Sequence, residues 1–119
     1  MGILHQLKQF AFVKLRIFKY KNLSSCQKVT GKPKLYHPLL LNGKGKISFG
    51  NNVQIGVVNS PKYFSHYSYF EARNSETEIL IGNNVSINNN CSIEALSKIT
   101  IQDNVLIGIN CVILDNDGH

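Results

Sequence analysis

Hydrophobic residues recur at every sixth position over the second half of the chain. The pattern is clearest in three similar segments, Ile47–Ile55, Ile79–Ile87 and Ile99–Ile107, each with an Asn-Val pair in its middle. A period of six fits neither the 3.6-residue repeat of an amphipathic helix nor the two-residue alternation of a half-buried strand. Internal repetition of this kind predicts a fold in which one structural unit is stacked on the next.

A chain that turns a corner after every short strand, and closes a triangular coil after three strands, explains this period. One aliphatic side chain per strand then points into the prism, and stacked coils pair as parallel strands. Gly and Asn lie between the strands because corners need residues that adopt positive φ at low cost. We therefore assign Asn52, Asn84 and Asn104, which repeat in phase, to corner geometry. The residues predicted to point inward are Ile81, Ile87, Ile93, Ile101, Ile107 and Ile113.

The rest of the chain divides around these repeats. Residues 1–21 are predicted to form a basic amphipathic helix, since apolar residues follow helical spacing there without Gly or Pro from residue 3 onward. Residues 22–46 are rich in Gly, Pro, Ser and Lys and predict an irregular lead-in of loops and short strands. Residues 47–119 form the coils. Successive repeats begin 32 and 20 residues apart, so the longer spacing predicts an extruded loop at about 61–77.

Charge separates the chain into a basic and an acidic part. The first acidic residue is Glu71, and eleven of the thirteen Lys and Arg precede it, so the net charge of +6 combines +11 before Glu71 with −5 from Glu71 onward. A basic half is compatible with nucleic acid, anionic lipid or an anionic substrate as partner. A solvated basic surface explains it equally well.

The three cysteines indicate free thiols. Cys26, Cys91 and Cys111 have neither disulfide-framework nor zinc-site spacing, which favours a reducing, cytoplasmic compartment. Cys91 and Cys111 occupy the same position in successive coils, so we interpret them as small core residues, not nucleophiles. The histidines before the final residue are scattered, and no metal site is expected.

The hexads resemble those of the hexapeptide-repeat acyltransferases, which include serine, galactoside, maltose and polysaccharide O-acetyltransferases. The phrase Ile81-Gly82-Asn83-Asn84-Val85 and its counterpart in 103–108 carry the resemblance, which covers about residues 47–119. It implies coils that wind left-handed, an exception to the usual crossover rule. It also implies a homotrimer that binds acetyl-CoA between neighbouring prisms. The predicted fold class is thus mainly β: a left-handed parallel β-helix with an N-terminal α-helix and an extruded loop.

The ending, Asp115-Asn116-Asp117-Gly118-His119, resembles the D-x-D-x-H segment of this family, in which the His is the catalytic base. The resemblance implies that His119 takes the proton of a sugar hydroxyl as it attacks the thioester, which suits an imidazole of near-neutral pKa. Asp115 and Asp117 are both candidates for orienting this imidazole or holding the acceptor. Each is equally a candidate for binding its own backbone at a corner, and spacing does not choose between them.

The resemblance implies an acetyl-CoA-dependent O-acetyltransferase that acts on a sugar or glycan precursor by direct transfer, with no nucleic-acid partner. Family members continue for several coils beyond this His, and those coils supply much of the CoA cleft. We therefore expect the chain to be truncated at its C-terminus and to show little turnover by itself, and its CoA-binding residues stay unassigned. Two alternatives remain: a non-catalytic β-helix that binds partners, and a module that uses its basic helix at the inner face of the membrane.

Overall fold

Residues 2–116 are described by a computed structural model, in which one helix precedes twelve short strands. The helix consists of α1 (Ile3–Gln9), a π-helical segment (Phe10–Lys14) and α2 (Leu15–Leu23). The strands are β1 (Lys28–Thr30), β2 (Lys34–Leu35), β3 (Leu39–Asn42), β4 (Lys46–Phe49), β5 (Gln54–Ile55), β6 (Ser68–Ala72), β7 (Glu78–Ile81), β8 (Ser86–Ile87), β9 (Ser92–Ala95), β10 (Lys98–Ile101), β11 (Leu106–Ile107) and β12 (Val112–Leu114).

The strands form three parallel sheets of four strands each, ordered β1-β4-β7-β10, β2-β5-β8-β11 and β3-β6-β9-β12. We call these sheets A, B and C. Three consecutive strands, one from each sheet, make one coil, so that coil 1 is β1–β3 and coil 4 is β10–β12. This is the architecture of a left-handed parallel β-helix, and the predicted fold class is confirmed.

The core is a column of in-register aliphatic side chains inside the prism. Ile47, Ile79 and Ile99, for example, are stacked on three successive strands of sheet A. Ile101 and Ile113 are half-buried and pack against this core, because the described residues place a neighbouring coil on only one side of coil 4. The predicted inward residues that are at least nine-tenths buried are Ile81, Ile87, Ile93 and Ile107.

The region expected to be an irregular lead-in, 22–46, contains a complete coil. Strands β1, β2 and β3 pair in parallel with β4, β5 and β6, so the β-helix begins at Lys28. Val29, Leu35 and Leu41 are six residues apart and pack against the core, so the six-residue period already operates here. The Lys, Gly and Pro residues between them obscured the period and led to the incomplete prediction.

The bounds predicted for the extruded loop, about 61–77, are wrong, because β6 (Ser68–Ala72) lies within that range. The additional residues leave the prism at two corners, 56–67 and 73–77. Phe70 is fully buried and is in register with Leu41 and Ile93, so it fills the position that an aliphatic residue takes in the other coils. The longer spacing of the repeats had predicted one continuous loop, because the spacing gives the number of additional residues but not how they divide between corners.

The asparagine column has the predicted corner geometry. Asn52, Asn84 and Asn104 have φ of 58°, 56° and 62°, in the left-handed region that asparagine tolerates better than most residues. Their side chains also form a ladder, in which the Asn52 amide donates to the Asn84 oxygen at 2.9 Å and the Asn84 amide to the Asn104 oxygen at 3.2 Å. The prediction is confirmed, and the ladder adds side-chain bonds between coils to those of the strands.

The aromatic part of the loop packs against the N-terminal helix. The rings of Tyr20 and Tyr67 stack with centroids 4.4 Å apart, and Phe12 meets Phe64 edge to face at 6.5 Å. The Arg16 guanidinium donates a hydrogen bond to the carbonyl oxygen of His66. Helix and loop therefore stabilise each other outside the prism.

Two buried polar side chains hold the base of this loop. The Asn89 amide donates to the carbonyl oxygens of Val57 and Pro61 at 3.1 and 3.2 Å. His37 Nε2 lies 2.9 Å from the carbonyl oxygens of Lys62 and Ser65, so this nitrogen is the donor. The other nitrogen, Nδ1, is buried without a partner among the described residues. Burial lowers the pKa of His37, and the neutral imidazole is therefore the form that fits.

Acidification is expected to loosen the loop. Because the pKa of His37 is lower in the folded protein, the folded state binds the proton more weakly than the unfolded state does. The stability from the neutral imidazole is complete above about pH 6.5 and declines as the pH falls below that value. Hydrogen exchange of the amides of residues 56–67 should accelerate between neutral pH and about pH 5, after correction for intrinsic rates.

The matched variant is His37→Gln, whose side-chain amide can donate the same hydrogen bonds but does not titrate. Its loop should exchange at a corrected rate that is independent of pH over the same window. An equal pH response in the variant would show that another group controls the loop.

Candidate functional site

Of the three residues assigned to catalysis from the sequence, Asp115 is the one within the described residues. It directly follows β12 and lies at the corner that leads out of coil 4. Asp117 and His119 lie outside the described residues. The geometry of the site can therefore be built from Asp115 and its surroundings.

The carboxylate of Asp115 accepts three hydrogen bonds from the backbone at the corner between β9 and β10. Oδ1 accepts from the N–H of Leu96 at 2.8 Å, and Oδ2 accepts from the N–H groups of Ser97 and Lys98 at 2.8 and 2.9 Å. These bonds, led by the one from Leu96, lower the pKa of Asp115. The side chain is thus a charged clamp that ties the end of coil 4 to the corner after β9.

Of the roles considered for Asp115 (orienting the imidazole, holding the acceptor or binding the backbone at a corner), these contacts support the last. Both oxygens are engaged by backbone donors, and the Asn116 amide also donates to Oδ1 at 3.2 Å. A similar bond is present at another corner, where Asp103 Oδ1 accepts from the N–H of Asn83 at 2.7 Å. One coil earlier, the side-chain oxygen of Asn83 accepts from the N–H of Asn51 at the same distance. Asn is therefore adequate where one oxygen is used, whereas Asp115 uses both.

Asp115→Asn is expected to lower the free energy of unfolding by about 1–2 kcal/mol, because the new amide group would face backbone N–H donors. Asp103→Asn is the matched control and should leave stability within about 0.5 kcal/mol, since its single accepting oxygen is retained. Chemical denaturation at neutral pH measures both values. Equal effects of the two substitutions would contradict the clamp.

The clamp also predicts a pH dependence. A carboxylate whose pKa is lowered by folding stabilises the folded protein above its unfolded pKa of about 3.9, and this contribution is lost as the pH falls through the folded pKa. The stability difference between wild type and Asp115→Asn should accordingly shrink below about pH 4.

The outward face of sheet C next to this corner carries acidic and phenolic groups that the hexad pattern did not reveal. Glu71, Glu94 and Leu114 are in register on successive strands. The Tyr69 hydroxyl donates to Glu71 at 3.1 Å, and the Arg73 guanidinium pairs with the same carboxylate at 3.2 Å. Glu94 thus lies one strand from the coil that ends in Asp115. Residues that point outward need not be apolar, so no hydrophobic period identifies them in the sequence.

Cys91 and Cys111 are core residues, as predicted. Cys91 is 1% exposed, and Cys111 packs against the core one coil further on. Burial, with a smaller effect of Cys111, raises the pKa of Cys91 to about 12. A thiol that stays protonated at neutral pH is a poor nucleophile.

Within residues 2–116, no group of three or more His, Cys, Asp and Glu lies close enough together to hold a metal ion. In the same residues, no helix combines the length and apolar character needed to cross a membrane.

Comparisons with protein-family models, with curated proteins and with solved structures found no match for this chain. The described coils have the triangular, hexapeptide-based architecture that the sequence pattern predicted. Any assignment of activity therefore depends on the fold together with the residues that end coil 4.

Proposed function

We propose that the protein is a cytoplasmic acetyl-CoA-dependent O-acetyltransferase that acts as a homotrimer on a sugar or glycan precursor. The observation that carries the proposal is the position of the D-x-D-x-H segment. It begins at Asp115, immediately after the last strand of a regular hexapeptide β-helix, and Asp115 is fixed there by three backbone hydrogen bonds. Such a corner supplies a rigid base from which a catalytic side chain can be positioned.

The chemistry is a direct acyl transfer. His119 accepts the proton of the acceptor hydroxyl while its oxygen attacks the thioester carbonyl, and a backbone N–H stabilises the resulting oxyanion. The carbon–sulfur bond then breaks, and the imidazolium returns the proton to the leaving CoA thiolate. Asp117 is the residue that we assign to orienting His119, since the Asp115 carboxylate already binds the backbone. Acetyl-CoA is a co-substrate here, and no metal takes part.

An apolar patch on coil 4 supports contact with a neighbouring prism near this segment. Val112 and Leu114 point outward from sheet C and are 62% and 47% exposed. The residues in register with them on coil 3 are polar: Ser92 and Glu94. Large apolar side chains grouped on a surface are typical of protein contacts. A neighbouring subunit at this level would form one wall of the acetyl-CoA cleft.

The proposal is tested by transfer of labelled acetyl groups from acetyl-CoA to a panel of sugars and glycan precursors. The assay uses the form of the protein that includes whatever coils its gene encodes after His119. Transfer to a sugar hydroxyl is the expected result, and sedimentation should give a trimer. A folded protein that neither binds acetyl-CoA nor transfers its acetyl group would instead be the non-catalytic β-helix.

A further inference from the structure

The N-terminal helix is apolar on its outer side as well as its inner side. Its inner side carries Val13 and Tyr20, which meet the rest of the protein. On the opposite side, residues at helical spacing of three, four and seven form a stripe that we call the outer stripe. Its large side chains are those of Leu4, Leu7, Leu15 and Phe18, which are 68%, 57%, 48% and 68% exposed, respectively.

Four such side chains in one row are unusual on a surface that faces water. Exposed apolar residues scattered singly are normal, whereas contiguous ones mark a contact with another apolar phase. Ala11 is also exposed and fills the middle of the row. The outer stripe therefore extends over most of the length of the helix.

The charges that flank the outer stripe are all positive. Lys8, Lys14, Lys19 and Lys21 are exposed on the same helix, and no Asp or Glu occurs before Glu71. Coil 1, which follows the helix, adds the exposed lysines 28, 32 and 34. The partner should thus combine a negatively charged surface with an apolar interior.

We propose that the outer stripe lies in the headgroup region of an anionic phospholipid membrane, with the lysines at the lipid phosphates. An amphipathic helix with Leu and Phe on one face and Lys along its margins binds in this way, parallel to the membrane plane. No helix in residues 2–116 can span a bilayer, which agrees with a surface position. A second copy of the helix is a poorer occupant, because symmetrical pairing would bring lysines against lysines without an acid on either helix. The proposal is independent of the acetyltransferase activity.

The test is co-sedimentation of the whole protein with vesicles of phosphatidylcholine alone and with vesicles that also contain phosphatidylglycerol. Binding to the anionic vesicles should be at least about tenfold tighter, because each lysine near the surface adds about 1 kcal/mol. Raising the salt concentration should reduce this difference. Equal binding to both kinds of vesicle, or to neither, would overturn the proposal.

Substitutions identify the surface that binds. The double variant Leu7→Gln, Phe18→Gln keeps the net charge and the helix propensity and should weaken binding to anionic vesicles by about a hundredfold. Leu106→Gln is the matched control, since Leu106 is equally apolar and 83% exposed but lies on coil 4, and it should bind as the wild type does. Circular dichroism should give the same folded spectrum for both.

Two outcomes would contradict the proposal. Unchanged vesicle binding of the double variant would place the contact elsewhere. Loss of self-association in the double variant, with no vesicle binding by the wild type, would make a second copy the occupant of the outer stripe. Neither outcome depends on acetyl transfer, so failure here is distinguishable from failure of the proposed activity.

Discussion

In a form of the protein that includes the coils expected after His119, replacing His119 with alanine is expected to lower the rate of acetyl transfer by roughly a hundredfold to ten-thousandfold, the usual effect of removing a general base. A sugar hydroxyl is a poor nucleophile, and without a base it would have to lose its proton to water during the attack. The fold should be unaffected, because the core column and the Asp115 clamp precede this residue. The measurement is the initial rate of labelled acetyl transfer, with circular dichroism as a check of folding.

The two aspartates of the segment provide the controls. Asp117→Asn should lower kcat and leave the free energy of unfolding unchanged, since its role would be to orient the imidazole. Asp115→Asn should chiefly lower stability, through the three backbone bonds that its carboxylate accepts. Near-normal turnover of His119→Ala with a competent acceptor would remove the assignment of the base. A larger catalytic loss in Asp115→Asn than in Asp117→Asn, at equal stability, would exchange the two roles.

Phe70→Ala is expected to lower the free energy of unfolding by about 3–5 kcal/mol, the cost of a large cavity in a packed core. Phe70 is fully buried, and its ring stacks on that of Phe49 with centroids 6.2 Å apart. The cavity would lie between coil 1 and coil 3, where two neighbouring coils pack on the same side chain. Chemical denaturation with a two-state analysis measures the change.

Phe64→Ala is the matched control for this experiment. Phe64 is the same residue type six positions earlier, but it is 41% exposed at the outside of the loop, where it meets Phe12. Its loss should cost no more than about 1.5 kcal/mol, the value of an aromatic pair. Similar effects of the two substitutions would mean that Phe70 is a loop residue, as the sequence had suggested.

The sequence was sufficient for the fold where each coil keeps the same corners. Between Ile79 and Ile113 the aliphatic residues repeat every six positions with one short interruption, so the sheets and the inward residues could be predicted. Before Ile79 the corners differ in length. Additional residues at 56–67 and 73–77 displaced the repeat, and an aromatic residue replaced an aliphatic one at Phe70. The hydrophobic period is not evident in a sequence where both the spacing and the residue type change.

The candidate site was predictable in its residue types and less so in its contacts. The spacing of Asp115, Asp117 and His119 was visible, but the binding of Asp115 to the backbone depends on N–H groups at the corner between β9 and β10. Those donors lie seventeen to nineteen residues away in sequence and meet Asp115 through the stacking of coils. The sequence shows the apolar residues of the outer stripe but not that they are exposed. Their exposure follows from the packing of Val13 and Tyr20, on the opposite side of the helix, against the rest of the protein.

Loops at the corners of the prism do not change the distances between its coils. Residues can be added at a corner without moving the coil above, as the loop at 56–67 demonstrates, because the strands on either side keep their register. Height along the prism is therefore counted in whole coils of about 4.8 Å, and coil 4 stands roughly 14 Å above coil 1 whatever the length of the loops. The number of coils therefore fixes the separation, along the prism axis, between the N-terminal helix and the segment that begins at Asp115. Increasing that distance would require the insertion of a complete coil of three strands.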